Sequence, residues 1–234
     1  MARVAHADFP PIMNILSSDG TLRLVVPEGT EDAVLREYET SDGKEGKKWE
    51  LVFKSLSGKI TNIQRHEGDY GLNLMVTLAY EGGEDTISIG TATPFGEDFM
   101  KKLPNIDLDQ DIEVAPYAFT DDRTGKQKKG LTIKQSGRGW SGDKVPNFFA
   151  AAPKEEGGRW VNINGYPDPE GDSTKYTKDD WKIYFMLARK FLVKHTEENF
   201  LPKFAHKTPV KVTDSTGTVL TPEYPTEEAK ADKF

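Results

Sequence analysis

Leu72–Tyr80 reads LNLMVTLAY: Leu72, Leu74, Val76, Leu78 and Tyr80 alternate with Asn73, Met75, Thr77 and Ala79. A period of two over nine residues predicts a β-strand with one buried face, because successive side chains of a strand point to opposite sides of the sheet. Glu81–Glu84 (EGGE) is a tight turn after it, and Asp85–Thr91 (DTISIGT) returns with Ile87 and Ile89 on one face. Before it, Trp49–Lys54 (WELVFK) and Leu56–Gln64 (LSGKITNIQ) read as one bent strand, or as two joined at Ser55–Gly58, with Gly58 suited to a bend. His66–Gly71 is a turn.

Pro94–Leu103 (PFGEDFMKKL) breaks the alternation. Phe95, Phe99, Met100 and Leu103 fall at helical spacing, acids precede lysines, and Pro104 ends the run. Asp111–Phe119 (DIEVAPYAF) and Leu131–Gln135 (LTIKQ) are two further strands, divided by the polar loop Thr120–Gly130 (TDDRTGKQKKG). The order is strand, strand, strand, helix, strand, strand. It predicts a mainly β protein with α additions, built on a five-stranded OB-type barrel with a helix between strands three and four.

Outward from this barrel, assigned to residues 49–149, the chain divides further. Residues 1–48 contain the strand candidates Thr21–Val26 and Ala33–Thr40, expected to pack on the barrel. Residues 150–212 hold a Gly- and Pro-rich loop and then a helix over Thr177–His195. Thr177 and Asp180 fit a capping box there, and Trp181, Tyr184, Phe185, Ala188, Phe191 and Leu192 recur at helical spacing. That stripe is core or a homo-oligomer contact. Thr196 is placed to cap a second short helix containing Phe200, Leu201 and Phe204. Residues 213–234 are polar and aperiodic and read as a disordered acidic tail.

Composition narrows the function. The 234 residues include no cysteine, which excludes a disulfide framework, a thiolate metal site and a cysteine nucleophile. No apolar run approaches the ~20 residues needed to cross a bilayer, so no membrane partner is expected. The opening MARVAHADFPPIMNILSSDG lacks a long apolar core and is not read as a signal peptide, which points to a cytoplasmic protein. His6, His66, His195 and His206 share no metal-ligand spacing, and no GxSxG, phosphate-loop or GxGxxG motif occurs. Asp107, Asp109 and Asp111 alternate, but a calcium loop's glycine and distal glutamate are missing, and a solvated acidic turn explains them. Neither an enzyme activity, a metal nor a cofactor is expected.

The net charge is −7, but it is uneven: residues 1–42 carry three basic and eight acidic side chains, whereas Thr120–Lys144 carries seven basic and three acidic. A local positive excess beside aromatic residues suits single-stranded nucleic acid, whose phosphates need cations and whose bases stack on rings. The phosphate-neutralising candidates are Arg123, Lys126, Lys128, Lys129, Lys134 and Arg138, with Lys59 and Arg65 lining a groove or simply a solvated face. The stacking candidates are Tyr70, Tyr117, Phe119 and Trp140. Tyr117 and Phe119 lie on the polar face if the strand's phase holds through Pro116, and turn inward if Pro116 makes a bulge. Trp140, among glycines, is either a stacking platform or a cap on the barrel mouth. Trp49 is assigned to the core.

These pieces resemble the single-stranded DNA-binding proteins of tailed bacteriophages: an OB barrel with added helices and an acidic tail closing on an aromatic residue, here TEEAKADKF with Phe234 last. The resemblance implies sequence-independent binding of single-stranded DNA in replication, recombination or repair, in a host cytoplasm. It also implies a tail, through Glu227, Glu228, Asp232 and Phe234, that recruits replication proteins and covers the DNA cleft. Lys230 and Lys233 interrupt that tail, which weakens the cleft-covering role. The alternative is a non-catalytic structural or protein-interaction module, such as a phage-particle component, on an OB-like barrel.

Overall fold

A computed structural model of the protein describes residues 10–39, 43–68, 71–137, 143–154, 158–205, 212–213 and 219–220. The chain divides into two units. One, spanning residues 10–206, holds nearly all described structure. The other joins residues 1–9 and 207–234, and its described part is a pair of two-residue antiparallel strands, Val212–Thr213 with Val219–Leu220. Of this pair, Thr213, Val219 and Leu220 fall where the sequence reading placed aperiodic tail, and Val212 ends the preceding segment.

The larger unit is mainly β, dominated by a nine-stranded sheet curled into a half-barrel. Its strands are β1 (Ile12–Leu16), β2 (Thr21–Val26), β3 (Val34–Glu39), β4 (Glu45–Phe53), β5 (Leu56–Gly68), β6 (Gly71–Tyr80), β7 (Gly83–Gly90), β8 (Asp111–Thr120) and β9 (Gln127–Lys134), in the spatial order 3-4-2-1-7-6-5-8-9. The expected five-stranded OB barrel is therefore not what forms. Its helix, α1 (Pro94–Lys102), lies between the seventh and eighth strands of a larger sheet.

Two local causes explain the difference. First, β1 pairs in parallel with β7, matching Ile12 to Thr86 and Asn14 to Ser88, and so occupies the edge that a closed five-stranded barrel leaves for its last strand. Second, the outer edge of β9 is already satisfied. The Leu131 N–H donates to Asp98 Oδ2 at 3.0 Å, and Lys102 Nζ donates to the Leu131 carbonyl, so two α1 side chains take the place of a neighbouring strand. Farther along, the Val145 N–H donates to the Ile133 carbonyl and the Gln135 N–H to that of Asp143. Burial holds the Lys102 ammonium below the usual lysine pKa, against the pull of Asp98.

Trp49 does not open a barrel strand. It sits half-buried in β4 between Val26 and Leu35, and β4 pairs with β2 and β3, not with β5. On the outer side of this subsheet Glu50 is buried, and Arg36 grips it with Nε at 2.8 Å and Nη2 at 2.7 Å. The β1–β2 turn then crosses to β8: a Cβ on Gly20 would stand 2.3 Å from backbone atoms of Tyr117 and Ala118, a space only glycine fits.

The core fills the hollow of the sheet. Leu74, Val76 and Leu78 of β6, Ile87 and Ile89 of β7, and Ile112 and Val114 of β8 meet Phe95, Phe99 and Met100 of α1. A second helix, α2 (Lys178–Asn199), starts in the expected capping box of Thr177 and Asp180. It runs straight through Thr196, so the separate capped helix reduces to a 3-10 turn at Leu201–Lys203. Only its later part is core: Ala188, Leu192 and Thr196 are buried, and Phe191 packs edge-on to Phe149 at 5.5 Å. The expected loop over 150–172 contains two short paired strands, β10 (Ala150–Ala151) and β11 (Val161–Asn162). No helix among the described residues is long and apolar enough to cross a membrane.

Candidate nucleic-acid interface

The phase of β8 decides what its aromatic residues do. Its register with β9 runs unbroken, Val114 to Ile133, Ala115 to Thr132, Pro116 to Leu131, Tyr117 to Gly130, Ala118 to Lys129 and Phe119 to Lys128. There is no bulge at Pro116. The reason is that β5 pairs with β8 only from Asp111 to Val114. At Pro116 the strand has a ladder partner on one side alone, where a residue without an N–H is tolerated. Ile112, Val114 and Pro116 face the core, so Tyr117 and Phe119 face away from it.

Residues directly opposite in an antiparallel ladder share a face. The outer face of this region therefore carries one continuous stripe: Phe119 with Lys128, Tyr117 with Gly130, Ala115 with Thr132, Glu113 with Lys134 and Ser57, and Asp111 with Lys59. From Phe119 to Asp111 it extends ~27 Å at the rise of a strand. Phe119 is 51% exposed, and its ring centroid stands 5.8 Å from that of half-buried Tyr117. Tyr117 lies across Gly130: a Cβ there would stand 2.6 Å from the phenol oxygen and 2.3 Å from Asp98 Oδ2. Burial, then the Asp98 charge, push the Tyr117 hydroxyl above the usual phenol pKa.

Each strand lysine of the stripe has an acid beside it. Lys134 Nζ meets Glu113 Oε2 at 2.8 Å, Lys59 Nζ meets Asp109 Oδ1 at 3.3 Å, and Lys128 is ion-paired with Asp121. The lysine hydrogen bonds hold the carboxyls of Glu113 and Asp121 below their usual pKa values. Asp121 also builds the β8–β9 loop, its Oδ1 accepting from the N–H groups of Arg123 and Thr124, each at 3.0 Å. Arg123 and Lys126 are exposed in that loop.

Two sequence candidates are directed elsewhere. Arg65 is on the core-side face of β5, opposite Leu74, and its Nη1 meets Glu197 Oε1 of α2 at 3.0 Å. The register shift between Ile60 and Asn62, two residues past the bend expected at Gly58, reverses the side-chain phase, so Lys59 and Arg65 emerge on opposite faces. Lys129 also leaves the stripe; its Nζ donates to Ser17 Oγ at 2.9 Å and ties the β1–β2 turn to β9. Tyr70, Arg138, Trp140, Glu227, Glu228, Asp232 and Phe234 lie outside the described residues. The acidic run at Asp107 is a turn closed on itself and on Gln135, which accepts from the Asp107 N–H at 2.8 Å. Among the described residues no group of three or more His, Asp or Glu is placed to hold a metal.

The sequence reading missed the acids that face the strand lysines. Their signal is present only once register is known, since Glu113 and Lys134 are 21 residues apart. Comparison of the chain with protein-family models, with curated proteins and with solved structures finds no match.

Proposed function

We propose that the protein binds single-stranded DNA without sequence preference and without catalysis, in replication, recombination or repair, along the β5–β8–β9 stripe. The observation that carries this reading is the unbroken β8–β9 register, which aligns Tyr117 and Phe119 with Lys128, Lys134 and Lys59 on one exposed face. Bases stack on Phe119, with Tyr117 beside it, and the lysines exchange their carboxylate partners for phosphates. The partner of Lys59, Asp109, is almost fully exposed, and such surface ion pairs are worth roughly 0–1 kcal/mol, so that exchange is cheap. A stripe of this length suits a site of about four nucleotides. Duplex DNA offers no free base faces for the rings to stack on. The C-terminal residues Glu227, Glu228, Asp232 and Phe234 recruit replication proteins in this proposal, as in the phage proteins the chain resembles.

The test is a fluorescence-anisotropy titration with labelled dT oligomers over a series of salt concentrations, with duplex as control. Binding of single strands that weakens linearly in log salt is expected, together with a loss of ~5- to 150-fold for Phe119→Ala, the value of one stacked base. No retained oligomer at low salt sinks the DNA reading. Binding that Phe119→Ala leaves unchanged moves the site off this stripe.

A further inference from the structure

The solvent-facing side of α2 is not what a surface helix needs. Its buried side is set by Ala188, Leu192 and Thr196. On the opposite side, within an arc of about 100° at 3.6 residues per turn, lie Asp179, Ile183, Met186, Leu187, Lys190 and Lys194, all exposed. Ile183 is 54% exposed, Met186 58% and Leu187 49%. Three large apolar residues in the centre of an outward stripe contribute nothing to the core and are better explained by a contact outside the chain.

The polar ends of the stripe say what that contact is. Reversed about the point midway between Met186 and Leu187, the stripe maps acid onto base at its ends and apolar onto apolar at its centre, with a lysine stem over the remaining apolar residue. Asp179 falls on Lys194, Ile183 on the aliphatic stem of Lys190, and Met186 on Leu187. A two-fold axis through a pair of antiparallel helices performs this reversal. We infer that α2 docks against α2 of a second copy of this chain, forming a two-fold dimer.

In it Met186 packs on the partner's Leu187 and Asp179 pairs with Lys194 of the partner subunit, each contact occurring twice. Both charges now have weak partners within their own helix, Asp179 with Lys182 at 2.9 Å and Lys194 with Glu198 at 3.7 Å, and both remain exposed, so they are free to share. Lysine stems cover Ile183 while their ammonium groups stay in water. A single helix pair buries less than the ~800 Å² per partner of a standard interface, so the dimer is concentration-dependent. It uses no residue of the β5–β8–β9 stripe and stands whether or not that stripe binds DNA.

Sedimentation equilibrium of the full chain, from low to high micromolar concentration, reads the assembly directly. The apparent mass is expected to rise from 26.2 kDa toward twice that value. Asp179→Lys or Lys194→Glu alone should weaken the dimer about tenfold, two exposed charge pairs being lost at once, and the two together should restore it. Met186→Glu should leave only monomer. The chain has no cysteine, so Leu187→Cys gives an independent reading that needs no loss of stability: mild oxidation should cross-link it, while Val161→Cys, exposed but off the stripe, should stay uncross-linked. A monomer at every concentration, or a dimer indifferent to Met186→Glu, overturns the inference, as does a charge swap that fails to restore association.

Discussion

At the residue scale, Asp121 is ion-paired with Lys128, and in the proposed mode of binding it stands where a phosphate would come. Asp121→Asn keeps an oxygen for the Arg123 and Thr124 N–H groups and removes only the competing charge. Oligomer affinity should therefore rise, and log affinity against log salt should steepen by about 0.7, the increment for one more phosphate neutralised on a single strand. An unchanged slope would mean that Lys128 never reaches DNA. Glu50 tests stability instead of binding. The hydrogen bonds from Arg36 hold its carboxyl below the usual glutamate value of 4.5. A lowered folded-state pKa adds stability that is present above the unfolded value and is lost as pH falls through the folded one. Glu50→Gln should cost about 1.5–3 kcal/mol at neutral pH in urea unfolding, the range for a hydrogen bond to a charged group, since partly exposed Arg36 loses its counter-charge. The difference from wild type should shrink as pH drops below ~4.5.

At the element scale, the β8–β9 arm depends on a glycine opposite an aromatic ring. Gly130→Val would drive the Tyr117 ring off the strand and collide with Asp98, which caps the edge of β9. A loss of about 1–3 kcal/mol is expected, the usual range for overpacking, with weaker oligomer binding from a displaced ring. Urea unfolding and the dT titration check the two effects. The same elements show how much could be read from the sequence. Leu72–Tyr80 and Asp111–Thr120 declared themselves by alternation, α1 by its apolar spacing, and α2 by its capping box. The strand Ile12–Leu16 did not, because it is five residues long and follows Pro10 and Pro11. Missing it turned an extended half-barrel into a closed five-stranded one. Tyr117 and Phe119 were legible as candidates, but their face turned on whether Pro116 made a bulge, and Lys128 read as part of the loop Thr120–Gly130 because the polar start of β9 shows no alternation. The face of Arg65 was not legible, because one extra residue in β5 reverses the phase without any mark in composition.

At the scale of the whole molecule, pairing is deepest in the middle of the sheet and thins toward β3, an edge strand whose Val34 and Leu35 are exposed. Hydrogen exchange should follow this gradient. The slowest amides are expected in β6 and β7, which have partners on both sides, and fast ones in β3 and the first turns of α2; a uniform rate across the sheet would show that it opens as one unit. The parallel contact between β1 and β7 has a different consequence, one of timing. It joins residue 12 to residue 86. As the chain leaves the ribosome, the β1–β2 hairpin can form early, but its seat in the main sheet does not exist until β7 has been made. Closing so long a loop is slow, and refolding should take milliseconds to seconds, as for other chains dominated by non-local pairings. In that interval the far edge of β1 is bare, and a newborn chain is most exposed to pairing with the wrong neighbour before its ninetieth residue is in place.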